Sequence, residues 1–517
     1  MLSMDRINRA QALRALAAMS FVIYALGAIA AVGHRPAKWA AEYDLAFPVA
    51  ISNIVYGTPL GLVDGNVQAA YRGALQREGV SPESVAKAVA LIARGDIPRG
   101  EALPTTDGTG VGQLIFTTFA MRLFGPRIDA LPYCFLLLMG ASVAAFIARF
   151  RDERLLAVPV QFAALSLMLI GPLAADQRIA DQVPIGGNRY FGVLGVLPTI
   201  HLVLELAGSP GHHDDRRPRA HILLLCTQAA MLALVLLVRS ASAYLLLPVV
   251  GAVAYRVWGN REDLDTRRRI GRQAGCALVA FLASLLLLVA CVPSYLKSGR
   301  IGGLFWHRAF ISFTLHPEWP YGSLRLAYDC TKYIPEGLNR AKEDRNGHCV
   351  WWAHALGKGL TTGEVHAGLY GPDYEAALRK AYFEVVWAFP RQSLELYLIY
   401  KPLRIAQTLY AAADLQMRKA SKRAVLLALL QWVLLAVFAG VASGIAALPV
   451  RSAALIIAGL FALALTPALA AWASLWTSVD LILYMYAGLG LAFCLAVQKA
   501  RQLLRGPAEA QRYRSSP

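Results

Sequence analysis

Two acidic residues, Glu42 and Asp44, follow the first apolar segment of the chain in the order Glu-Tyr-Asp. A Glu-x-Asp pair can bind a divalent cation such as Mg²⁺ or Mn²⁺, or take a proton from a hydroxyl group. The same spacing also arises by chance, and a solvated loop acid beside Lys38 is the alternative interpretation. The pair is therefore a candidate catalytic or metal-binding site whose metal requirement stays open.

Two further acids downstream, Asp64 and Asp107, are the reserve candidates for the same role. Asp64 stands in Val63-Asp64-Gly65-Asn66, and the Gly and Asn that follow it favour a simple turn. The residue types alone leave open which of these acids does chemistry.

Two arginines lie beside apolar segments, where phosphate groups of lipids would be found. Arg239 occurs in Val-Arg-Ser-Ala-Ser, and Arg189 follows Gly186-Gly187-Asn188. Guanidinium groups bind phosphate oxygens in a bidentate manner, and neighbouring glycines let a phosphate approach the backbone. Snorkelling towards lipid headgroups is the alternative for both. We predict that Arg239 and Arg189 bind the phosphate of a substrate.

Aromatic and hydrogen-bonding side chains are mixed in the later polar region, at Trp306, His307 and His316. Aromatic rings suit the faces of sugars, and either histidine can contact a phosphate or a hydroxyl. The same composition is typical of an aromatic belt at a membrane interface. We predict substrate binding at these three residues and keep the interface belt as the alternative.

Two of the seven cysteines, Cys330 and Cys349, share one polar region, and we predict a disulfide between them. The other cysteines lie in or beside apolar segments, where Cys behaves as a small apolar residue. His348, His354 and His366 are close in sequence and form either a metal or proton-transfer cluster or, as we favour, ordinary surface histidines.

Composition places this chemistry in a membrane. Of 517 residues, 57% are hydrophobic and 16% are charged, against about 25% charged in soluble domains. The formal net charge of +18 could indicate nucleic-acid binding, but a mean hydropathy of +0.46 argues against it. We expect no nucleic-acid partner and assign much of the basic surplus to inner loops.

Ten segments are apolar enough to cross a bilayer, which requires about 20 residues. They are residues 15–33, 130–148, 155–173, 190–207, 221–238, 241–257, 273–294, 424–445, 449–471 and 478–497. The first also fits a cleaved signal peptide. The sequence therefore predicts an all-α polytopic protein with about ten transmembrane helices and two outer regions, the second a small, mixed or mainly helical domain.

Basic residues in short loops predict the orientation, because they are retained on the cytoplasmic side. The strongest marker is Arg267-Arg268-Arg269. With that loop inside, both termini are cytoplasmic, and we expect a multi-pass protein of a bacterial inner membrane.

The predicted organisation has six parts. They are an N-terminus with the first span (1–33), a first outer loop (34–129), a six-helix block (130–294), an outer soluble region (295–423), a three-helix block (424–498) and a basic tail (499–517). Residues 111–125 and 394–413 are predicted to be interfacial helices, and a membrane crossing is the alternative for the second.

The order of these features resembles the GT-C class of integral-membrane glycosyltransferases. The resemblance rests on a large first outer loop with the Glu42/Asp44 pair, then an apolar helix ending in Leu123-Phe124-Gly125, then a long apolar bundle. Residues 381–401 are similar to the outer interfacial helices of some bacterial members. The mannosyltransferase-like members carry His-Pro-Pro before the interfacial helix, where this chain has Asp107-Gly108-Thr109-Gly110.

The resemblance implies a membrane glycosyltransferase that uses a polyprenyl-phosphate-linked sugar donor, as the mannosyl- and aminoarabinosyltransferases do. It implies Asp44 as the base, with Glu42 as its partner, and a glycan, lipid or protein acceptor at the outer face. A polysaccharide polymerase or ligase is one alternative, with essential residues in 295–423. A transporter or a non-enzymatic scaffold is another, which the scarcity of ionisable residues inside the predicted spans disfavours.

Overall fold

A computed structural model describes residues 46–79, 81–104, 111–150, 186–188, 191–207, 218–292, 305–318, 344–407, 450–470, and the single positions 496 and 500. Within these ranges the protein is mainly helical, with one short two-stranded ladder. Four of the described helical stretches are long and apolar enough to cross a membrane: Ala130–Phe150, Arg219–Val238, Ser240–Gly259 and Leu264–Ala290. These helices indicate a membrane protein.

The first region contains four helices and both strands. They are α1 (Ala46–Tyr56), β1 (Leu62–Asp64), α2 (Gly65–Glu78), α3 (Pro82–Ala93), β2 (Ala102–Pro104) and α4 (Val111–Phe124). The strands pair antiparallel with Leu62 opposite Pro104. Ser81 caps α3 through a reciprocal bond with Ser84, and Pro82 opens that helix without losing a hydrogen bond.

Helix α4 corresponds to the first of the two segments predicted to lie along the membrane interface. Its first eight side chains are buried, and it packs against α1 and against the helices of the bundle. Only a narrow stripe that includes Phe119 and Leu123 is half exposed. The helix therefore belongs to the protein core on most of its circumference, and the stripe is the part that could meet lipid.

The bundle consists of α5 (Ala130–Phe150), α6 (Phe191–Ala207), α7 (Pro218–Val238), a 3₁₀ segment (Ser240–Leu245), α8 (Leu246–Gly259) and α9 (Leu264–Ala290). Helix α7 is central and contacts α4, α5, α6 and α9. Midway along the bundle, Ser142 donates to Gln228 Oε1 at 2.8 Å, and the Gln228 amide donates back to the Ser142 carbonyl at 2.9 Å. This pairing satisfies polar groups inside an otherwise apolar interior.

Helix α9 has a lipid-compatible surface. Leu278, Val279, Leu286 and Leu287 are 57%, 66%, 67% and 70% exposed. Such a row of exposed large apolar side chains is unfavourable in water and ordinary in hydrocarbon. It supports the membrane assignment beyond helix length alone.

The bundle has two ends, which we name by a residue at each. At the Glu205 end, Arg149 of α5, Glu205 of α6, Arg256 of α8 and Gln273 of α9 meet. At the Gln113 end, the start of α4 meets the end of α7 and residues 186–188. The prediction that the Glu205 end faces the cytoplasm stays a prediction.

The later region forms a small helical unit with its own core. Its elements are α10 (Phe305–Ile311), a 3₁₀ turn (Ser312–Leu315), α11 (Asp344–Gly357), α12 (Thr362–Ala367), α13 (Pro372–Ala388), α14 (Pro390–Glu395) and a π-helical stretch (Leu396–Tyr400), followed by helix to residue 407. Leu315 packs against both this core and the bundle core. We call residues 305–407 of this unit the His307 domain.

Helix α15 (Val450–Ala470) joins the His307 domain to the bundle. Its last residues contact Tyr397 and Lys401, and it packs against the 3₁₀ segment that follows Arg239. The His307 domain is thereby attached on the side of the Gln113 end.

Six of the ten predicted spans fall on described helices, with most boundaries within a few residues. Of the remaining four, 15–33, 155–173 and 424–445 lie outside the described residues, and 478–497 is described only at residue 496, so a count of ten stays a prediction. The helix predicted from 273 begins at Leu264, because Asp263 caps it through the backbone N–H groups of Asp265 and Thr266.

Candidate functional site

The Gln113 end brings together segments that are far apart in sequence. Gly112 lies so close to α7 that a side chain there would collide with the backbone of Leu237 and Val238. The next residue, Gln113, donates from Nε2 to the carbonyl of Gly186 at 3.4 Å. The start of α4 therefore touches both the residue before Arg239 and the Gly-Gly-Asn segment before Arg189.

Arg239 is at the junction of α7 and the 3₁₀ segment and is 8% exposed. Its backbone N–H bonds the Val235 carbonyl at 2.8 Å, and its carbonyl accepts from Ser242 N at 2.9 Å. This arrangement ends one apolar helix and starts the next with an arginine held inside the turn. A buried guanidinium at a helix junction is a suitable group for an anionic oxygen.

Two buried polar atoms near Arg239 have no hydrogen-bond partner within the described part of the chain. They are Gln113 Oε1 and Ser242 Oγ, and their residues are 2% and 0% exposed. Leaving such groups unpaired costs about 1–3 kcal/mol each. Both atoms are groups that a bound ligand could satisfy.

A small apolar cluster lies beneath this end and joins the segments that follow the predicted acids. Ala46, Val63, Val111 and Val292 belong to it. Ala46 follows Asp44 by two positions, and Val111 follows Asp107 by four. Glu42, Asp44, Asp107 and Arg189 themselves lie outside the described residues, so their roles stay predictions.

Asp64 is described, and its surroundings are those of a structural residue. It is 1% exposed, and its Oδ1 accepts from the backbone N–H groups of Asn66 and Val67 at the start of α2. Its Oδ2 accepts from Gly100 N at 2.8 Å, which ties the chain before β2 to α2. This geometry favours the turn interpretation of Asp64 over a role as a base.

In the His307 domain, His307 is buried on α10 and its Nδ1 lies 2.6 Å from the Tyr374 hydroxyl of α13. Glu375, the next residue, accepts from the backbone N–H groups of Trp306 and His307 at 2.8 and 3.1 Å. Burial raises the pKa of the Glu375 carboxyl, and the two backbone donors oppose that rise. One turn of α13 thus orients both His307 and the start of α10.

His348 of α11 forms a second His–Tyr pair beside the first, with its Nε2 2.7 Å from the Tyr370 hydroxyl. Tyr370 has a φ of +62°, the one positive φ at a non-glycine residue in the described ranges. Such a conformation is costly and clusters at functional sites. The rings of His307 and His348 stack with their centroids 6.1 Å apart.

Trp306 and His316 have separate surroundings in this domain. The Trp306 ring packs against Tyr382 and Phe383. His316 is 1% exposed, and its Nε2 lies 3.3 Å from Glu395, which also accepts from Arg391 at 3.0 Å. The bond from Arg391 and then that from His316 lower the pKa of Glu395. The three predicted binding residues therefore share one domain, with both histidines held by internal partners.

The favoured interpretation of His348, His354 and His366 as surface residues is wrong for His348, which is buried. His354 lies two turns later on α11 beside Trp351, and the side chain of His366 is not described. Across the described residues, no three His, Cys, Asp or Glu side chains are arranged to hold a metal ion. The Mg²⁺ or Mn²⁺ prediction rests on Glu42 and Asp44 and is not tested by this finding.

Cys349 is buried on α11, next to His348. Cys330 lies outside the described residues, and no bond joins two cysteines that are both described. The Cys330–Cys349 disulfide stays a prediction.

Lys401 is fully buried where the His307 domain meets α15. Its Nζ donates to the Leu469 carbonyl at 2.7 Å and lies 3.9 Å from the centre of the Tyr397 ring. The lysine thereby caps the last turn of α15, where a positive charge is favourable. The π-helical stretch directly before it is a rare conformation that often marks functional positions.

The burial of Lys401 predicts that the stability of the protein depends on pH. Burial lowers the pKa of Lys401 to about 7, against about 10.4 in the unfolded chain. Because the unfolded chain then binds the extra proton between these values, stability rises with pH across that window. We expect the free energy of unfolding to rise by on the order of 1–2 kcal/mol between about pH 7 and pH 9.

The matched controls are Lys401→Met and Lys380→Met, since the Lys380 side chain is 75% exposed in the same domain. Thermal unfolding in detergent across this pH range should lose its slope in Lys401→Met and keep it in Lys380→Met. An unchanged slope in Lys401→Met contradicts the prediction.

Comparison with family models, curated proteins and solved structures finds no match to this chain. Function is therefore argued from the residues. Several of the residues that matter gave no signal in the sequence, among them Gln113, Ser242, Tyr370 and Tyr374. Lys401 gave a partial one, as a charge interrupting an apolar segment.

Proposed function

We propose that the protein is a membrane glycosyltransferase that moves a sugar from a polyprenyl-phosphate-linked donor to a glycan, lipid or protein acceptor at the outer face. The observation that carries the proposal is the convergence at the Gln113 end. The buried Arg239, the segment before Arg189 and the helix that follows Asp107 are in contact there. These are the segments that a lipid-phosphate donor and an acidic base would require.

In this proposal Arg239 and Arg189 hold the donor phosphate, and the polyprenyl chain lies against the apolar helices. Asp44 takes the proton of the acceptor hydroxyl, with Glu42 binding the acceptor or a divalent cation. The acceptor oxygen forms its bond to the anomeric carbon as the bond from that carbon to the phosphate oxygen breaks. The polyprenyl phosphate leaves with the electron pair and is stabilised by the two arginines.

Gln113 Oε1 and Ser242 Oγ support the same assignment. Both are buried without a partner in the described ranges, and a sugar hydroxyl or phosphate oxygen is a group that they could bond. The exposed apolar face of α9 supports entry of a lipid-linked substrate from the bilayer.

The test is sugar transfer in membrane vesicles supplied with polyprenyl-phosphate-linked donors that differ in the sugar. We expect Arg239→Gln to reduce transfer by about 10- to 100-fold, because a charge-assisted hydrogen bond contributes about 1.5–3 kcal/mol. Arg127→Gln is the control, since Arg127 is exposed at the start of α5. Equal transfer by the two variants on every donor tested would overturn the proposal.

A second pair of variants separates binding from folding. Ser242→Ala removes a hydroxyl that has no partner in the described residues, so we expect lower transfer at unchanged thermal stability. Ser142→Ala removes a hydroxyl bonded to Gln228 and should lower stability by about 1–2 kcal/mol. If Ser242→Ala leaves transfer intact, its hydroxyl does not touch substrate.

A polysaccharide polymerase or ligase is the second candidate. The observation that favours it is the His307 domain, where two His–Tyr pairs and the strained Tyr370 backbone lie together. In that case the essential residues would be in this domain, and the acids of the first region would be dispensable.

A further inference from the structure

The Glu205 end of the bundle carries more positive than negative charge in a buried setting. Arg149 donates from Nε to Glu205 at 2.6 Å, and these two side chains are 4% and 2% exposed. Arg256 is also buried, and its Nη1 donates to the carbonyls of Glu205 and Leu206 at 3.3 and 3.1 Å. The Glu205 carboxylate is thus bonded to Arg149, whereas the bonds of Arg256 go to backbone carbonyls.

Three arginine N–H groups at this end are buried without a partner in the described part of the chain. They are Arg256 Nη2, Arg267 Nε and Arg269 Nη2. Gln273, whose Nε2 lies 3.4 Å from Glu205, leaves its Oε1 unbonded in the same place. Buried charged donors without an acceptor are strongly unfavourable, so this arrangement calls for an oxygen-rich anion.

Arg256 is close enough to two opposite charges to be repelled by Arg269 and attracted by Glu205. Arginine prefers phosphate and carboxylate groups that accept two hydrogen bonds at once. A phosphate group offers more acceptor oxygens to arginine N–H groups than a single carboxylate does.

The surface beside these arginines is that of a membrane interface. On α8, Tyr255 and Trp258 are 74% and 78% exposed, and Leu264 at the start of α9 is 60% exposed. Exposed aromatic residues at the end of an apolar helix are typical of the lipid headgroup level. The phosphate of a membrane lipid is therefore present at this depth.

We propose that Arg256, Arg267 and Arg269 form a binding site for a phosphate group, carried either by an anionic phospholipid or by a soluble phosphate compound. The site is at the opposite end of the bundle from Arg239 and does not depend on the proposed transferase activity. Bound phosphate would neutralise the surplus charge and hold the ends of α6, α8 and α9 together.

The experiment measures binding to the purified full-length protein. Delipidated protein in detergent is mixed with phosphatidylglycerol, with phosphatidylcholine, or with inorganic phosphate, and adducts are counted by native mass spectrometry. We expect Arg269→Gln to lower phosphatidylglycerol occupancy at least about 5-fold, the loss of about 1 kcal/mol of binding energy. Arg268→Gln is the matched control, because its side chain is 81% exposed on the same helix.

Comparison of the added compounds distinguishes a lipid phosphate from a soluble one. Retention of phosphatidylglycerol but not inorganic phosphate assigns the site to a lipid headgroup, and binding of inorganic phosphate that Arg269→Gln abolishes assigns it to a soluble compound. Arg267→Gln is the second variant if Arg269→Gln does not fold. Equal occupancy in Arg268→Gln and both other variants overturns the proposal.

An intramolecular partner is the remaining outcome that would contradict it. Residues 208–217 connect α6 to α7, lie outside the described residues and include Asp214 and Asp215. If Asp214→Asn with Asp215→Asn lowers thermal stability as Arg269→Gln does, and no phosphate probe binds wild type, the arginines pair with these acids.

Discussion

Replacing Glu205 by Gln is expected to lower the free energy of unfolding by about 3–5 kcal/mol, because it leaves the Arg149 charge buried without its counter-charge. The two side chains are 2.6 Å apart and almost fully buried. Because Gln has nearly the shape of Glu, the loss of stability comes from the missing charge and not from a cavity. The loss of the attraction between Glu205 and Arg256 would add to this destabilisation.

The measurement is unfolding in mixed micelles, followed by circular dichroism. Arg149→Met combined with Glu205→Leu should recover most of the loss, because a buried ion pair is often replaceable by apolar residues at little cost. Glu78→Gln is the surface control, since the Lys87–Glu78 pair is 69% and 48% exposed and should contribute at most about 1 kcal/mol. Equal losses from Glu205→Gln and Glu78→Gln would show that the buried pair has no special role.

The helices of the bundle were largely predictable, because hydropathy over about 20 residues reports what lipid requires. Helix α7, expected at 221–238, runs from Pro218 to Val238. Helix α9 begins nine residues before the predicted span, where Arg267 and its neighbours are too polar for hydrocarbon but still helical. Hydropathy predicts only the part of α9 that lies in hydrocarbon. The start of the helix is set by backbone hydrogen bonding and by the Asp263 cap.

The candidate sites were predictable only in part, because their contacts join distant residues. Arg149 and Glu205 lie at or near the ends of two predicted spans, yet their pairing spans 56 positions. The bond from Gln113 to Gly186 spans 73. Likewise, Tyr370 lies in the turn between α12 and α13, and its residue type gives no indication of its positive φ.

The second large effect concerns Asp44, the proposed base. Asp44→Asn should reduce sugar transfer at least about 100-fold, because general-base catalysis contributes about 10²–10⁴-fold and an amide cannot accept the proton. Donor binding should be unchanged, so the loss is expected in kcat with little change in the KM for donor. Arg239→Gln should raise that KM and also lower kcat, because in the proposed mechanism Arg239 holds the donor phosphate and stabilises it as it leaves.

Asp64→Asn is the control for Asp44→Asn, because it makes the same change at an acid with a structural role. Since Asp64 caps α2 and accepts from Gly100, this change should lower stability by about 1 kcal/mol and leave transfer per folded molecule intact. If Asp44→Asn keeps full transfer while Asp64→Asn or Asp107→Asn abolishes it, the base is misassigned.

The same assay decides between the two enzyme classes. A transferase of the proposed kind loses activity with Asp44→Asn and keeps most of it with His307→Gln, because the His307 ring is paired with Tyr374 inside its own domain. A polymerase or ligase loses it with His307→Gln or Glu375→Gln at normal stability and tolerates Asp44→Asn. Because Glu375 holds the backbone of Trp306 and His307, thermal stability must be measured for each variant, so that loss of folding is not counted as loss of chemistry.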